Sequence, residues 1–197
     1  MHKTATVILA AGSSTRLGLP KQLLAYNGKT LLQHAIDEAA KAGADPIVVV
    51  LGFKAEEISE TIKRNNVELF INAGWEQGMA SGISGGVGKA LQLDEKLEQL
   101  IITVCDQPFV TASLFNELKK VQRETQQHIV ACAYADTIGT PVLFTKKYFS
   151  HLQALTGEEG AKKIVKTNMD DVAAVEFSPG EIDIDTVDDY DGLVQTE

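Results

Sequence analysis

Small and basic residues follow the first apolar segment of the chain. Residues 10–22 read Ala-Ala-Gly-Ser-Ser-Thr-Arg-Leu-Gly-Leu-Pro-Lys-Gln. Small residues let the backbone approach a ligand closely, and successive free N–H groups in such a turn bind anions. Arg16 and Lys21 add positive charge, so the segment predicts a cradle for phosphate groups. Gly12 and Gly18 fit neither the P-loop nor the dinucleotide fingerprint. An ordinary strand-to-helix turn with two exposed basic residues is the alternative.

A carboxylate ends the apolar run at residues 100–104, where the sequence continues Cys-Asp-Gln-Pro. An unpaired carboxylate at the mouth of a buried strand is costly unless a cation meets it. Magnesium commonly takes one or two protein carboxylates plus substrate phosphate oxygens, so Asp106 is a candidate ligand. Asp183 and Asp185 alternate along a short extended piece and offer a second candidate. Helix capping is the alternative for both sites: Asp106 before a helix that follows residue 109, and Asp185 before the final helix.

The cysteines and histidines carry weaker signals. Cys105 invites interpretation as a nucleophile, but no histidine lies near it in sequence. Cys105 and Cys132 both lie in apolar runs, which favours buried, reduced thiols, and two thiols in a chain of this length do not make a disulfide framework. The four histidines show no ligand spacing, so a zinc site is not expected.

Regular elements must hold these side chains in place. Apolar runs rich in β-branched residues predict strands at residues 6–10, 46–51, 67–71, 100–104, 129–134, 141–144 and 172–177. Helical periodicity predicts helices at residues 30–42, 55–64, 112–124, 159–166 and 186–194, with Thr30 as a cap and Gly43 as a stop. Residues 74–88 form a glycine-rich segment. The alternation predicts an α/β fold with a mostly parallel sheet, in which ligands bind beyond the carboxyl ends of the strands.

Bulk composition narrows the classes of function. A chain of 197 residues with 44% apolar content predicts one domain over residues 1–197. No run of 18 apolar residues occurs and the start lacks the features of a signal peptide, so we expect a cytoplasmic protein without a membrane partner. A net charge of −9 without a basic stripe argues against nucleic acid as a partner. Positive charge for an anionic ligand must then be local.

Six segments in order resemble one family over about the whole chain: LAAGSSTRLGLPKQLL, CDQP, NAGWEQGMASG, GTPVLF, GEEGAKKI and DIDT. Together they resemble the MobA-like molybdenum cofactor nucleotidyltransferases, within the wider sugar-nucleotide and cofactor nucleotidyltransferase superfamily. The resemblance implies a Rossmann-like, three-layer nucleotidyltransferase fold with helices on both faces of the sheet. It also implies Mg²⁺-dependent transfer of a nucleotidyl group from a nucleoside triphosphate onto the phosphate of molybdopterin, with release of pyrophosphate. A molybdoenzyme or its maturation chaperone would then be a possible partner.

The resemblance assigns roles to particular residues. It places the nucleotide on the first loop, at Leu9, Ala10, Ala11, Gly12, Ser13, Ser14, Arg16 and Lys21. It places Gly78, Met79 and Ser81 over the base, the metal on Asp106, and the late aspartate of the family at Asp185. Members that use CTP tend to read Leu-Ala-Ala-Gly at residues 9–12 whereas GTP users tend to read Leu-Ala-Gly-Gly, which favours CTP.

The chain also departs from the family pattern. Many relatives have serine at the position of Gly82, histidine at that of Thr140 and arginine at that of Lys162. Each change removes a polar contact to the nucleotide or the pterin. The identity of the acceptor is therefore less well determined by the resemblance than the class of reaction.

The expected chemistry is in-line attack by an acceptor phosphate on the α-phosphorus of CTP. Arg16, Lys21 and Asp106 are the predicted catalytic residues, because two anions must be neutralised and aligned. Three alternatives remain: a sugar- or polyol-phosphate nucleotidyltransferase of the same superfamily, a non-catalytic nucleotide- or pterin-binding accessory protein, and an NAD-dependent oxidoreductase, which the missing fingerprint disfavours.

Overall fold

A computed structural model describes residues 2–63, 66–158 and 160–195. The strands are β1 (Thr4–Ala10), β2 (Ala25–Tyr26), β3 (Lys29–Thr30), β4 (Ile47–Leu51), β5 (Val67–Ile71), β6 (Gln99–Val104), β7 (Ile129–Tyr134), β8 (Thr137–Thr145) and β9 (Val172–Glu176). The helices are α1 (Leu31–Lys41), α2 (Ala55–Ser59), α3 (Met79–Leu93), α4 (Ala112–Thr125), α5 (Phe149–Gln153), α6 (Ala161–Thr167) and α7 (Val187–Val194). Short 3-10 helices lie at Lys21–Leu23, Trp75–Gln77, Lys146–Tyr148, Met169–Asp171 and Ser178–Glu181.

Seven strands form the main sheet, in the order β5-β4-β1-β6-β8-β7-β9. β8 runs antiparallel to both of its neighbours, and the other neighbouring pairs are parallel. In the parallel pair β1–β6, Leu9 is the register partner of Val104, so both strands end at the same edge. The chain segments that follow these two strands therefore start side by side.

Helices cover both faces of this sheet, as the family resemblance implied. One apolar core joins the sheet to α1, α2 and α4, with Ile36, Ile58 and Phe115 fully buried. The other joins it to α3, α5 and α6. Within the described residues, no helix combines the length and apolar character that crossing a bilayer requires.

A third, smaller apolar cluster connects distant parts of the chain. Leu17 from the loop after β1 packs with Leu31 of α1 and with Ile184 and Leu193 from the C-terminal segment. Ile184 is fully buried, which stabilises this docking by about 1.5–3 kcal/mol. The C-terminal segment is thereby held beside the first loop.

Most of the predicted elements are present near their predicted bounds. Thr30 caps α1 by accepting a hydrogen bond from the Gln33 N–H at 3.0 Å, as predicted, and Gly43 follows the helix with φ of 77°. The helix predicted at 55–64 is shorter, and its residue 64 lies outside the described residues. The helix predicted at 159–166 is α6, and residue 159 likewise lies outside them.

The glycine-rich segment is the main difference from prediction, because most of it forms the 15-residue helix α3. Glycine disfavours a helix interior by about 1 kcal/mol relative to alanine, which conceals the helical periodicity. The structure shows why glycine is needed. A Cβ on Gly86 would lie 2.6 Å from Val7 Cγ1, and one on Gly85 would lie 2.1 Å from the Phe70 ring. The glycines let α3 lie close against the sheet. The β2–β3 hairpin and α5 were also not predicted.

Candidate functional site

A cavity of about 270 Å³ lies at the edge where β1, β4 and β6 end. Its walls come from the strand ends, the first loop and the start of α3. The lining residues are Leu9, Ala10, Ala11, Gly12, Lys21, Gln22, Val50, Asn72, Trp75, Gly78, Met79, Gly82, Val104, Cys105 and Asp106. This is the edge at which an open α/β sheet binds its ligands.

The first loop folds into a tight turn around Ser14. The Ser14 carbonyl accepts hydrogen bonds from the N–H groups of Leu17 and Gly18, each at 3.1 Å. The Ser14 hydroxyl accepts one from the Lys21 N–H, also at 3.1 Å. Ser14 has a positive φ of 53°. This turn directs Lys21 into the cavity.

Gln22 stabilises the same loop through hydrogen bonds to its backbone. It was not predicted as a site residue. Its side chain is 1% exposed, and its Nε2 donates to the carbonyl oxygens of Ala10, at 2.7 Å, and Gly12, at 3.0 Å. In a trans peptide the carbonyl and the following N–H point in opposite directions. Gln22 therefore turns the N–H groups of Ala11 and Ser13 away from itself. Within the part of the chain that the structure describes, the N–H groups of Gly12 and Ser13 donate no backbone hydrogen bond.

Lys21 forms ion pairs with two carboxylates at the cavity. Its ammonium donates to Asp106 Oδ2 and, at 2.7 Å, to Asp185 Oδ1. The side chains of Lys21 and Asp106 are each 15% exposed, so water screens this pair poorly. Burial of the ammonium lowers the pKa of Lys21, but the two carboxylates outweigh burial and raise the net pKa above the ordinary lysine value. Lys21 is thus a permanent positive charge in the site.

Asp106 lies two residues beyond the end of β6, and only one of its carboxylate oxygens has a hydrogen-bond partner among the described residues. Its Oδ1 is buried and accepts no hydrogen bond from any described residue. A buried carboxylate oxygen without a partner costs free energy unless a cation or donor reaches it. Asp106 therefore fits the role of a cation ligand. Thr111, and not Asp106, flanks the start of α4, so helix capping does not explain this aspartate.

Asp185 reaches the same place from the far end of the chain. Besides Lys21 it binds Arg16, whose Nη2 donates to Oδ2 at 2.9 Å. The hydrogen bond from Lys21 holds the pKa of Asp185 below its usual value, and burial opposes this only in part. Thr186 caps α7 in a reciprocal capping box with Asp189, so Asp185 is not the helix cap either.

Asp183 faces a neighbouring cavity and makes no ion pair with a described residue. Burial raises the pKa of Asp183, and the nearby carboxylates of Asp185 and Asp106 add to the rise. The Ile184 N–H between the two late aspartates donates to the Asp106 carbonyl at 3.0 Å, which ties this segment to the end of β6. Across the described ranges, no three His, Cys, Asp or Glu side chains converge as a ready metal site. The Lys21 ammonium stands between Asp106 and Asp185 instead.

The opposite wall of the cavity is the turn that enters α3. Gly78 has φ of 107°, and a Cβ there would lie 2.6 Å from the Gly157 carbonyl oxygen, so this position requires glycine. The Ser81 hydroxyl donates to the Gly78 carbonyl at 3.0 Å and accepts from Asn72 Nδ2 at 2.8 Å. Ser81 thus shapes the turn, while Gly78 and Met79 line the cavity.

Two further cavities adjoin the first one. One of about 390 Å³ is bordered by Lys21, Asp106, Gln107, Tyr134, Thr140 and Asp183, among others. The other, of about 170 Å³, has mainly apolar walls and includes Tyr134, Thr140 and Lys162. Met79, which is 53% exposed, lines all three cavities. The first and second cavities therefore share Lys21 and Asp106.

The three departures from the family pattern all lie near these cavities. Thr140 Oγ1 donates to Gln107 Oε1 at 3.1 Å, and Lys162 Nζ donates to Thr137 Oγ1 at 2.6 Å. Gly82 lines the first cavity. Thr140 borders the second and third cavities, and Lys162 borders the third.

The structure brings most of the predicted site residues together. Leu9, Ala10, Ala11, Gly12, Lys21, Gly78, Met79 and Asp106 line one cavity, and Asp185 contacts Lys21. Ser13, Ser14, Arg16 and Ser81 do not line it. Arg16 is 72% exposed at its side chain and lies at the rim through its pair with Asp185.

Sequence reasoning missed five lining residues: Gln22, Val50, Asn72, Val104 and Cys105. Most of them lie at strand ends or within matched segments, so their position was the available signal. Cys105 and Cys132 are free and buried, as expected. Burial raises the pKa of both thiols to about 12, which argues against a nucleophilic role.

Comparison with known proteins identifies the family. The profile described as "MobA-like NTP transferase domain" matches residues 6–172. The chain therefore belongs to the MobA-like NTP transferase family.

Curated relatives cover nearly the whole chain. Nicotine blue oxidoreductase of Paenarthrobacter nicotinovorans is 26% identical, over 92% of this chain and 92% of that protein. Purine catabolism protein PucB of Bacillus subtilis (strain 168) is 26% identical, over 94% and 93%. The similarity thus extends beyond the residues matched by the domain profile.

A solved structure agrees with this assignment. Rv0371c from Mycobacterium tuberculosis H37Rv superposes with a TM-score of 0.85 and 30% identity, over 98% of both chains. A second structure of that protein, in complex with manganese, superposes with a TM-score of 0.81 and 27% identity, over 99% and 100%. The Rossmann-like nucleotidyltransferase fold expected from the sequence is therefore present.

Proposed function

We propose that this member of the MobA-like NTP transferase family transfers a cytidylyl group from CTP to the phosphate of molybdopterin and releases pyrophosphate. The observation that carries the proposal is the position of Lys21. Its ammonium meets the Asp106 and Asp185 carboxylates at the end of the first loop. Such an arrangement suits the transfer of a charged phosphoryl group.

The first loop is the proposed triphosphate site. Within the described ranges the N–H groups of Gly12 and Ser13 donate no backbone hydrogen bond, so they are the proposed donors to phosphate oxygens. Gln22 holds the Ser13 N–H in this orientation through the Gly12 carbonyl. Arg16 at the rim binds the departing pyrophosphate. These contacts place the α-phosphate near Lys21.

Asp106 and Asp185 are the proposed ligands of Mg²⁺, and the unpartnered Asp106 Oδ1 supports this assignment. The manganese complex of the related Rv0371C agrees with the use of a divalent cation. When bound, the ion neutralises phosphate charge and polarises the bonds to phosphorus.

Residues 1–197 act as one nucleotidyltransferase domain in this proposal, with donor and acceptor in adjoining cavities. CTP is favoured because Leu9, Ala10, Ala11 and Gly12 form the loop signature of CTP users and line the first cavity. The acceptor enters through the second and third cavities, where Tyr134 and Met79 offer flat and flexible apolar contacts to a pterin ring. A molybdoenzyme or its maturation chaperone would receive the product.

The reaction is a single displacement at phosphorus. An oxygen of the acceptor phosphate forms a bond to the α-phosphorus of CTP while the bond from that phosphorus to the oxygen bridging to the β-phosphate breaks. The electron pair leaves with pyrophosphate. Lys21 stabilises negative charge on the α-phosphate oxygens, and the adjoining cavities align the two anions.

Pyrophosphate release tests the proposal. Each of the four common ribonucleoside triphosphates is supplied with Mg²⁺, with and without molybdopterin. We expect release with CTP that depends on molybdopterin. Release that requires a sugar or polyol phosphate instead would identify the other branch of the superfamily. Tight binding without any release would identify an accessory protein.

A second candidate comes from the name of one relative, nicotine blue oxidoreductase. The first loop, however, lacks the three-glycine spacing with which NAD-binding turns approach the pyrophosphate. The same preparations should therefore leave the absorbance of NADH and NADPH unchanged when nicotine blue is supplied. Oxidation of either cofactor would favour the redox function.

A further inference from the structure

The ammonium of Lys21 occupies the space between the two carboxylates that are proposed to hold the cation. It donates to Asp106 Oδ2 and to Asp185 Oδ1, and Arg16 binds the other oxygen of Asp185. Three of the four carboxylate oxygens of this pair are therefore committed to the protein's own cations. The remaining one is the buried Asp106 Oδ1.

We propose that Lys21 is an internal counter-ion that competes with the divalent cation, so that the site takes the metal and the triphosphate as a pair. The proposal rests on the proposed function for the identity of the ligands. Lys21 has two alternative sets of partners: the carboxylates before binding and the phosphate oxygens after it. Each ligand enables the other to bind.

A divalent cation without nucleotide meets the Lys21 charge. Lys21 and Asp106 are each 15% exposed at their side chains, so repulsion between the ammonium and an incoming cation is weakly screened. Lys21 can leave only if another anion receives it, because an unpaired ammonium at this depth is costly. Binding of the metal alone is therefore weak.

A triphosphate without metal is repelled by negative charge. The carboxylates of Asp106, Asp183 and Asp185 surround the position of Lys21 and repel the phosphates. Moving Lys21 onto the phosphates would also leave Asp106 buried without a cation. If a divalent cation binds the carboxylates while Lys21 moves to the phosphates, the repulsion of the phosphates falls and Asp106 keeps a cation. Binding of the metal and binding of the triphosphate are therefore cooperative.

Manganese affinity in the absence of nucleotide tests the exchange. Free Mn²⁺ is followed by electron paramagnetic resonance while the whole protein is titrated. Lys21→Met removes the competing charge, and we expect it to bind Mn²⁺ on the order of tenfold more tightly than the unmodified protein. Lys29→Met is the matched control, because Lys29 also forms a partly buried pair, with Asp37, but lies outside the cavities. It should leave the affinity unchanged.

Two further variants make the result decisive. Lys21→Gln removes the same charge with a polar side chain and replaces Lys21→Met if that variant misfolds. Asp106→Asn in the Lys21→Met background should abolish the tight binding and so localise it. Equal or weaker Mn²⁺ binding by both folded Lys21 variants would overturn the proposal. This readout needs no turnover, so an absence of pyrophosphate release would count against the proposed function and not against the exchange.

Discussion

Leu9 and Val104 are register partners at the ends of two neighbouring parallel strands, β1 and β6. The segments that follow them carry opposite charges: Lys21 on one side and Asp106 on the other. The pairing of two apolar residues thus fixes the distance between the loop that is proposed to bind phosphate and the aspartate that is proposed to bind metal. The predictions below test parts of this arrangement.

Lys21→Ala should lower kcat by on the order of 10² to 10³, because it removes a preorganised charge from the proposed position of the α-phosphate. Steady-state pyrophosphate release at saturating CTP and acceptor measures the effect. Lys29→Ala, remote from the cavities, should retain normal turnover. A near-normal kcat in Lys21→Ala would contradict a catalytic role for Lys21.

Gln22→Met should weaken CTP binding by roughly 30-fold, since two hydrogen bonds to the first loop are lost and each is worth about 1 kcal/mol. Calorimetric titration with CTP and Mg²⁺ measures the affinity. Gln122→Met is the control, because Gln122 is also buried and hydrogen-bonded but lies in α4. If both variants lost stability equally and neither lost affinity, Gln22 would have a structural role only.

Gly86→Ala should destabilise the fold by about 1–3 kcal/mol, because its Cβ would meet Val7 and Val50 at 2.6 and 2.7 Å. Gly88→Ala in the same helix should be neutral or stabilising by up to about 1 kcal/mol, since its Cβ would have only Gln153 nearby, at 3.7 Å. Urea unfolding of both variants gives the two values. Similar effects at the two positions would contradict the close packing of α3.

Gly85 and Gly86 show which part of the fold could not be predicted from the sequence. Strand positions and the shared edge of Lys21 and Asp106 follow from apolar runs and from the rule for parallel sheets. The helix α3 does not, because its glycines reflect the approach of the sheet and mask the periodicity. Only the folded chain shows which strand each glycine meets.

The contacts of Gln22 and Asp185 could not be predicted from the sequence for a different reason. Nothing in the local pattern distinguishes a buried, bracing glutamine from an exposed one in a short helix. Asp185 lies 164 positions from Lys21 in sequence, and burial of Ile184 brings the two together. The resemblance pointed to Asp185, but its partners could not be predicted from residue spacing.

Acid should erode the contribution of Asp185 to stability. Its pKa is lower in the folded protein than in the unfolded chain, so the stabilisation is present above the unfolded value of about 3.9 and is lost as pH falls through the folded value. The difference in unfolding free energy between the unmodified protein and Asp185→Asn should therefore shrink from neutral pH to pH values below about 4. Urea titrations across this range measure it. A difference that stayed constant or grew would contradict the ion pairs of Asp185.

Ala11→Gly should shift the preference from CTP towards GTP, by roughly tenfold in the ratio of kcat/KM values. Ala11 lines the first cavity, and loss of its methyl group produces the loop signature of GTP users and gives a purine more room. Competition between the two nucleotides measures the ratio. Ala44→Gly, at a buried position away from the cavity, should leave the ratio unchanged. An unaltered ratio in Ala11→Gly would show that the base is selected elsewhere.

The domain profile ends at residue 172. Asp185, which accepts hydrogen bonds from both Arg16 and Lys21, lies beyond it, on a C-terminal strap (residues 183–186) that is held in place by the buried Ile184. The charge balance of the cleft is thus set partly by a part of the chain outside the profile. Two relatives whose sheets superpose can differ in this strap. They can then also differ in their affinity for a divalent cation. Grouping such proteins by catalytic behaviour therefore requires alignment through the strap as well as through the domain.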